Sequence, residues 1–213
     1  MRTPFPFPVV VVTAPTERSA QAYQEELNAR LSKRYCVASS NSSSNDEEEH
    51  DLILLAVADP RGKRVGSGGG TLNALAHVQA YLRKHGNSSM PSVLMVHSGG
   101  DSQRSPTNSV CGKAWSCLNA LREDDGGSNT PMDLLLEQFL HLFAGGVPAG
   151  SLVVASSDVL LILPSLALDW NAQRGVVGLA TRVPAALGPN HGVYVTATTN
   201  NNREQEVGCQ EVT

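Results

Sequence analysis

Asp51-Leu52-Ile53-Leu54-Leu55-Ala56-Val57-Ala58 leads, across a short connection, into Gly66-Ser67-Gly68-Gly69-Gly70-Thr71-Leu72-Asn73-Ala74-Leu75, and these two stretches decide the fold. The apolar run reads as a buried strand. After the glycines, Leu72, Leu75, Val78 and Leu82 fall at helical spacing, which places the glycines in a strand-to-helix turn. Without Cβ atoms such a turn lets backbone N–H groups converge on an anion. The helix that follows adds the positive end of its dipole and its unpaired first-turn donors. The stretch Gly66, Ser67, Gly68, Gly69, Gly70 and Thr71 therefore predicts a phosphate cradle, with Thr71 as N-cap or hydroxyl ligand. An ordinary flexible Gly/Ser turn is the plainer alternative, and an unbroken Gly/Ser run at a helix start favours the cradle.

Working outward, the same strand-then-helix alternation recurs. Val9-Val10-Val11-Val12 is a short β-branched strand closed by Thr13-Ala14-Pro15. Beyond it Ala20, Tyr23, Leu27 and Leu31 share one helical face, with Thr16 suited to the N-cap, Glu17 to the first turn, and Lys33 and Arg34 to the last. Ser92-Val93-Leu94-Met95-Val96-His97 is a third strand, entering a loop that begins Ser98-Gly99-Gly100-Asp101-Ser102-Gln103-Arg104. Residues 123–129 read as an exposed loop. Pro131 opens a helix carrying Leu134, Leu135, Phe139 and Leu142, and Gly145-Gly146 closes it. Ser151-Leu152-Val153-Val154-Ala155 is a fourth strand that ends at Ser156-Ser157-Asp158, and residues 174–181 and 192–198 read as two more. This order predicts an α/β fold: a Rossmann-like, mostly parallel sheet with helices on both faces. Ligands bind such sheets at the carboxyl ends of the strands, so the glycine run, the 98–106 loop and Asp158 are expected on one rim.

Residues 1–198 are expected to form one domain, interrupted by a polar, low-complexity insertion at 38–50 that reads as disordered, and followed by a polar tail at 199–213. The acidic run within the insertion reads as a solvated loop rather than a metal site. The chain has 213 residues, 41% hydrophobic and 17% charged, the balance of a globular protein. Its net charge of −4 argues against a nucleic-acid surface, which is normally basic, but leaves room for a nucleotide pocket with local cations. Four cysteines without a C-x-x-C pair or framework spacing, no apolar signal segment, and no run near the roughly 20 residues of a membrane span predict a reduced, cytoplasmic protein with no membrane partner.

The rim carries the chemistry. Arg104 is suited to gripping phosphate oxygens bidentately and Lys113 to supplying a mobile point charge, although both also read as surface cations. Asp158, at the exit of an apolar strand, is placed either to hold Mg²⁺ or to cap a helix. His77, His85 and His141 lie in helical stretches where solvent or packing roles are the default, whereas His97 and His191 adjoin strand ends near the rim. Other templates fail: Thr71 replaces the third glycine of G-x-G-x-x-G, Gly112-Lys113-Ala114 is not a Walker loop, and neither G-x-S-x-G nor H-E-x-x-H occurs.

Four ordered segments carry a resemblance. GSGGGTLNAL at 66–75, preceded by Asp59-Pro60 and Arg64-Val65, HSGGDSQRSP at 97–106 followed by Gly112-Lys113, Ser156-Ser157-Asp158-Val159-Leu160, and Asn190-His191-Gly192-Val193-Tyr194 together resemble the L-fucokinase and GDP-fucose pyrophosphorylase family. The resemblance implies a nucleotide-sugar pyrophosphorylase-type α/β domain, C-terminally incomplete against that type. It also implies a nucleotidyltransferase in L-fucose salvage. L-fucose 1-phosphate would attack the α-phosphorus of GTP, with Mg²⁺, to give GDP-L-fucose and pyrophosphate; ATP stays open beside GTP. Carried over by position, residues 66–71 and Gly99, Gly100, Asp101 and Ser102 would bind the nucleotide. Arg104 and Lys113 would act on the triphosphate, Asp158 would hold the metal, and Asn190, His191 and Gly192 would lie near the sugar. Nothing resembles the sugar-kinase domain of fucokinases. The alternatives are the N-terminal part of a fucokinase without that domain, or a nucleotide-binding module that does no chemistry.

Overall fold

The computed structural model describes residues 2–37, 50–98, 112–118, 129–162, 169–170, 173, 175–180, 184 and 186. In chain order its elements are β1 (Thr3–Pro4), β2 (Val9–Ala14), α1 (Glu17–Arg34), β3 (Tyr35–Cys36), β4 (Ile53–Ala58), α2 (Gly66–Lys84), β5 (Val93–His97), α3 (Pro131–Leu142) and β6 (Leu152–Ser156), with single 3-10 turns at Pro60–Gly62 and Lys113–Trp115. Four strands form one sheet in the order β4-β2-β5-β6, every neighbouring pair parallel. β1 and β3 make a separate two-stranded parallel ribbon. The expected α/β class holds.

Alternation along the strands explains the layering. Val9, Val11, Val93 and Met95 pack with Ala74, Val78 and Leu82 of α2 on one face. Val10, Val12, Leu94 and Val96 pack with α1 and α3 on the other. Successive strand side chains point to opposite faces, so a strand buried on both sides reads as an unbroken apolar run. α1 follows its sequence signals: Thr16 accepts a hydrogen bond from the Ser19 amide at 3.1 Å, and Ala20, Tyr23, Leu27 and Leu31 are buried.

Several expectations are corrected. The glycine run is not a turn before a helix; Gly66 to Gly70 already form the first turn of α2, and Val65 holds the N-cap position. Thr71 is therefore inside the helix and is not its cap. Glycine's poor helix propensity pointed to a turn, but packing of Gly70, Ala74, Val78 and Leu82 against the sheet extends the helix backwards. The same register leaves Leu72 71% exposed, with Ala74 taking the buried position. Residues 175–180 belong to no strand, and Val176 is fully exposed: the run has no ladder partner among the described residues. His50, assigned to the disordered insertion, forms an antiparallel bridge with Val37, which pins the two ends of that insertion together. The remainder of the insertion, most of the 123–129 loop, the strand at 192–198 and the tail at 199–213 lie outside the described residues.

At the β4 edge the Gln24 side chain of α1 accepts from the Ala56 amide at 2.8 Å and donates to the Leu54 carbonyl at 2.9 Å, as a neighbouring strand would. Gln24→Ala is expected to lower the free energy of unfolding by about 1 kcal/mol, measured as a shifted urea midpoint, because the two edge groups then exchange a protein partner for water. An unchanged midpoint would show the amide clasp to be energetically idle.

Candidate functional site

Parallel pairing puts the carboxyl ends of all four strands on one rim, and the polar residues gather there. Thr13 is the penultimate residue of β2, Asp59 follows β4, His97 ends β5 with Ser98 directly after it, and Ser156 ends β6 with Ser157 and Asp158 following. Because α1 and α2 lie on opposite faces, the strand order reverses between β2 and β5, which is where open α/β sheets bind ligands. There Thr13 and His97 are paired in register, and the Thr13 hydroxyl lies 3.2 Å from His97 Nδ1.

The glycine run meets this point from above. His97 Nε2 is 2.9 Å from the Thr71 hydroxyl, which donates to the Ser67 carbonyl at 2.9 Å. Among the described residues no side chain caps α2, and a Cβ placed on Gly66 or Gly68 would meet nothing within 4 Å, whereas one on Gly69 would fall 2.7 Å from Val65 Cβ. Gly66 has φ +72°, a conformation L side chains rarely adopt, so glycine is required at this helix entry. An uncapped helix start suits an anion. Asn73 ties the helix to the rim by donating to the Ala58 carbonyl at 2.9 Å.

On the other side of the switch point, Lys113 Nζ lies 2.7 Å from Asp158 Oδ2, and Ser156 donates to the other carboxylate oxygen. The Lys113 hydrogen bond, then that of Ser156, holds the Asp158 pKa below the usual carboxylate range, so the group is ionised at neutral pH. Gly112 positions the lysine with φ +80°, and a Cβ there would fall 2.2 Å from the Tyr23 hydroxyl. Any larger residue would displace either Tyr23 or Lys113. Burial pushes the Tyr23 phenol up, keeping it neutral beside this cation.

Two residues predicted from separate loops, Lys113 and Asp158, are thus brought together, and the glycine run joins them on the rim. The loop bearing Gly99, Gly100, Asp101, Ser102 and Arg104 lies outside the described residues, although Ser98 and Gly112 on either side of it are on the rim. Asn190, His191 and Gly192 also lie outside them. Among the described residues no group of three or more His, Cys, Asp or Glu side chains could hold a metal, so Asp158 offers a single carboxylate. That donor set fits Mg²⁺, which takes one or two carboxylates and fills its shell with water and substrate phosphates.

Sequence reasoning missed Thr13, whose only signal is a hydroxyl ending an all-valine strand. It quoted Arg64 only for its place before the glycine run and passed over Arg61 and Lys63; all three are exposed cations between β4 and α2. Their signal was available: a local positive cluster, in a chain of net charge −4, directly before the glycine run.

A doubly wound parallel sheet with its polar and charged groups gathered at the carboxyl rim defines a Rossmann-like α/β domain with a candidate anion site. Residues 87–213, more than half of the chain, match the fucose pyrophosphorylase domain, and the chain belongs to that family. Over 92% of its length it is 28% identical to the bifunctional fucokinase/GDP-fucose pyrophosphorylase of Arabidopsis thaliana, of which it covers 19%. Over 88% of its length it is 30% identical to the fucose-1-phosphate guanylyltransferase of Mus musculus and 27% identical to that of Homo sapiens, covering 29% and 28% of them. The chain thus spans less than a third of the length of these relatives. No solved structure gives a significant match. No described helix is long and apolar enough to cross a membrane.

Proposed function

We propose that this chain carries the nucleotide-handling rim of a GDP-fucose pyrophosphorylase, transferring GMP from GTP to L-fucose 1-phosphate. A phosphate oxygen of the sugar phosphate attacks the α-phosphorus, the bond from that phosphorus to the oxygen bridging to the β-phosphate breaks, and pyrophosphate leaves with the electron pair. Such transfers ask little covalent chemistry of a protein; they need positioning, and positive charge where negative charge grows. The amides opening α2 receive phosphate oxygens, with Arg61, Lys63 and Arg64 adding local positive potential. Arg104 grips the triphosphate. Lys113 leaves Asp158 for the phosphates and neutralises the charge developing on the departing pyrophosphate. Asp158, once released, is the carboxylate for Mg²⁺, which when bound would screen the phosphates and polarise the reacting phosphoryl group. Asn190, His191 and Gly192 are the residues we assign to the sugar, by their place in the family motif.

The observation that supports this reading is the Lys113–Asp158 contact of 2.7 Å, which joins the cation we assign to phosphate to the carboxylate we assign to the metal, on the rim that also bears the glycine-opened helix. The test is pyrophosphate release by the purified chain with GTP, Mg²⁺ and L-fucose 1-phosphate, with GTP binding followed by calorimetry in parallel. The expected result is release that depends on both substrates, and weaker with ATP. A second reading has one observation in its favour, the chain's coverage of 19% to 29% of its relatives: a nucleotide-binding part that does no chemistry alone. GTP binding without turnover supports that second reading. Neither binding nor release overturns both.

A further inference from the structure

We propose that His97 is the positioning residue of this rim: a neutral imidazole, protonated on Nε2, that ties the carboxyl ends of β2 and β5 to the first turn of α2 and so holds the helix amides in place for phosphate. The inference rests on the reading of that helix start as a phosphate cradle.

The hydrogen-bond chain itself dictates the tautomer. A carbonyl oxygen only accepts, so the Thr71 hydroxyl must give its single proton to Ser67 O, 2.9 Å away. Thr71 Oγ1 therefore accepts in its 2.9 Å contact with His97 Nε2, and Nε2 must carry the hydrogen. In a neutral ring Nδ1 is then an acceptor, filled by the Thr13 hydroxyl at 3.2 Å. Thr13 in turn accepts from the Ser98 amide at 3.3 Å. The chain runs one way, from Ser98 N–H through Thr13, His97 and Thr71 to the Ser67 carbonyl, with each hydroxyl donating once and accepting once. A second proton on Nδ1 would face Thr13 with a donor where it needs an acceptor, and would leave the Thr13 hydroxyl hydrogen without its partner.

The surroundings agree. Burial keeps the His97 pKa below the ordinary histidine value, with the Asp59 carboxylate pulling the other way. Among the described residues Asp59, following β4, is the charged group that faces it; β2 presents Thr13, α2 presents Thr71, and β6 runs alongside with Ser156 at the paired position. Because the folded-state value is the lower one, the native protein binds fewer protons there than the unfolded chain. The neutral link is intact above about pH 6.5, the ordinary value, and is lost as pH falls through the folded one. Thr71 sits one turn into the helix whose first amides would hold phosphate, so the link governs where those amides stand.

Long-range ¹H–¹⁵N spectra of protein labelled at histidine nitrogen are expected to show His97 as the Nε2–H tautomer at pH 7.5. GTP affinity, by calorimetry, is expected to fall as the pH is lowered from 7.5 through the folded-state value of His97, which lies below the ordinary one. His97→Gln keeps a donor near the Nε2 position and should retain most of the affinity with a flatter pH profile. His97→Asn keeps only the Nδ1-side contact and should weaken GTP about tenfold, as the loss of one well-placed hydrogen bond does. Thr71→Val cuts the same link from the other side and carries the measurement if His97→Asn does not fold. An Nδ1–H tautomer or an imidazolium at pH 7.5, with GTP still bound, overturns the inference alone, as does wild-type affinity in folded His97→Asn and Thr71→Val. Wild-type protein that binds no GTP overturns the cradle reading, and with it the role given to His97.

Discussion

Lys113→Ala is expected to lower the rate of pyrophosphate release by about 10²- to 10³-fold, the usual cost of removing one pre-placed charge partner from a developing anion. The loss should fall on kcat more than on KM, because the charge Lys113 meets is largest in the transition state. Lys113 is well prepared for that task. Its side chain is 21% exposed, its backbone is fixed by Gly112 against Tyr23, and its partner Asp158 keeps it at the rim. Lys113→Arg should recover part of the rate, since charge is kept while the point geometry is lost. Asp158→Asn separates the two roles: it frees the lysine but removes the carboxylate, so activity should fall while GTP affinity without metal holds or rises. Full activity in Lys113→Ala would remove Lys113 from the reaction.

The largest effect on stability is expected at Asp133. Its carboxylate is fully buried and accepts from Thr130 N at 3.0 Å, Thr130 Oγ1 at 2.7 Å, Arg34 Nη1 at 2.9 Å and Arg30 Nη1 at 3.3 Å. It is at once the third residue of the α3 capping box and the ionic tie between α3 and α1. Removing one partner of a buried pair costs about 3–5 kcal/mol. The two arginines keep 24% and 20% of their side-chain exposure and can rehydrate, which places Asp133→Ala near about 3 kcal/mol. Thermal or urea unfolding measures it, and Asp133→Asn, which retains an acceptor for the cap, should lose less. A change below about 1 kcal/mol would mean that the cap alone, without the ion pairs, is what α3 relies on.

How much of this was legible is clear from particular residues. The four strands of the main sheet and the bodies of the three helices were, because runs such as Val9 to Val12 and Ala20–Tyr23–Leu27–Leu31, and the Thr16 cap, announce themselves within one element. Phe5 and Phe7 were not. Among prolines they read only as a segment unlike a signal peptide, yet they are 4% and 0% exposed and pack in the α1 and α3 core. Proline removes backbone donors and breaks periodicity, so no pattern marked them as core. The start of α2 was misread for the opposite reason: glycine's local preference favours a turn, and the burial of one helical face overrides it. Of the candidate site, Lys113, Asp158 and the glycine run could be picked out singly by residue type and place after a strand.

The sequence by itself determined the α/β class, the two-sided helical cover and the rim on which polar residues collect. These follow from the periods of helix and strand, which each segment carries alone. Only the tertiary structure decided which of those residues meet. Lys113 and Asp158 are 45 positions apart, and His97 lies 84 from Thr13 and 26 from Thr71. Their contacts depend on the order and register of parallel strands, which the packing of both faces sets together and no single segment encodes.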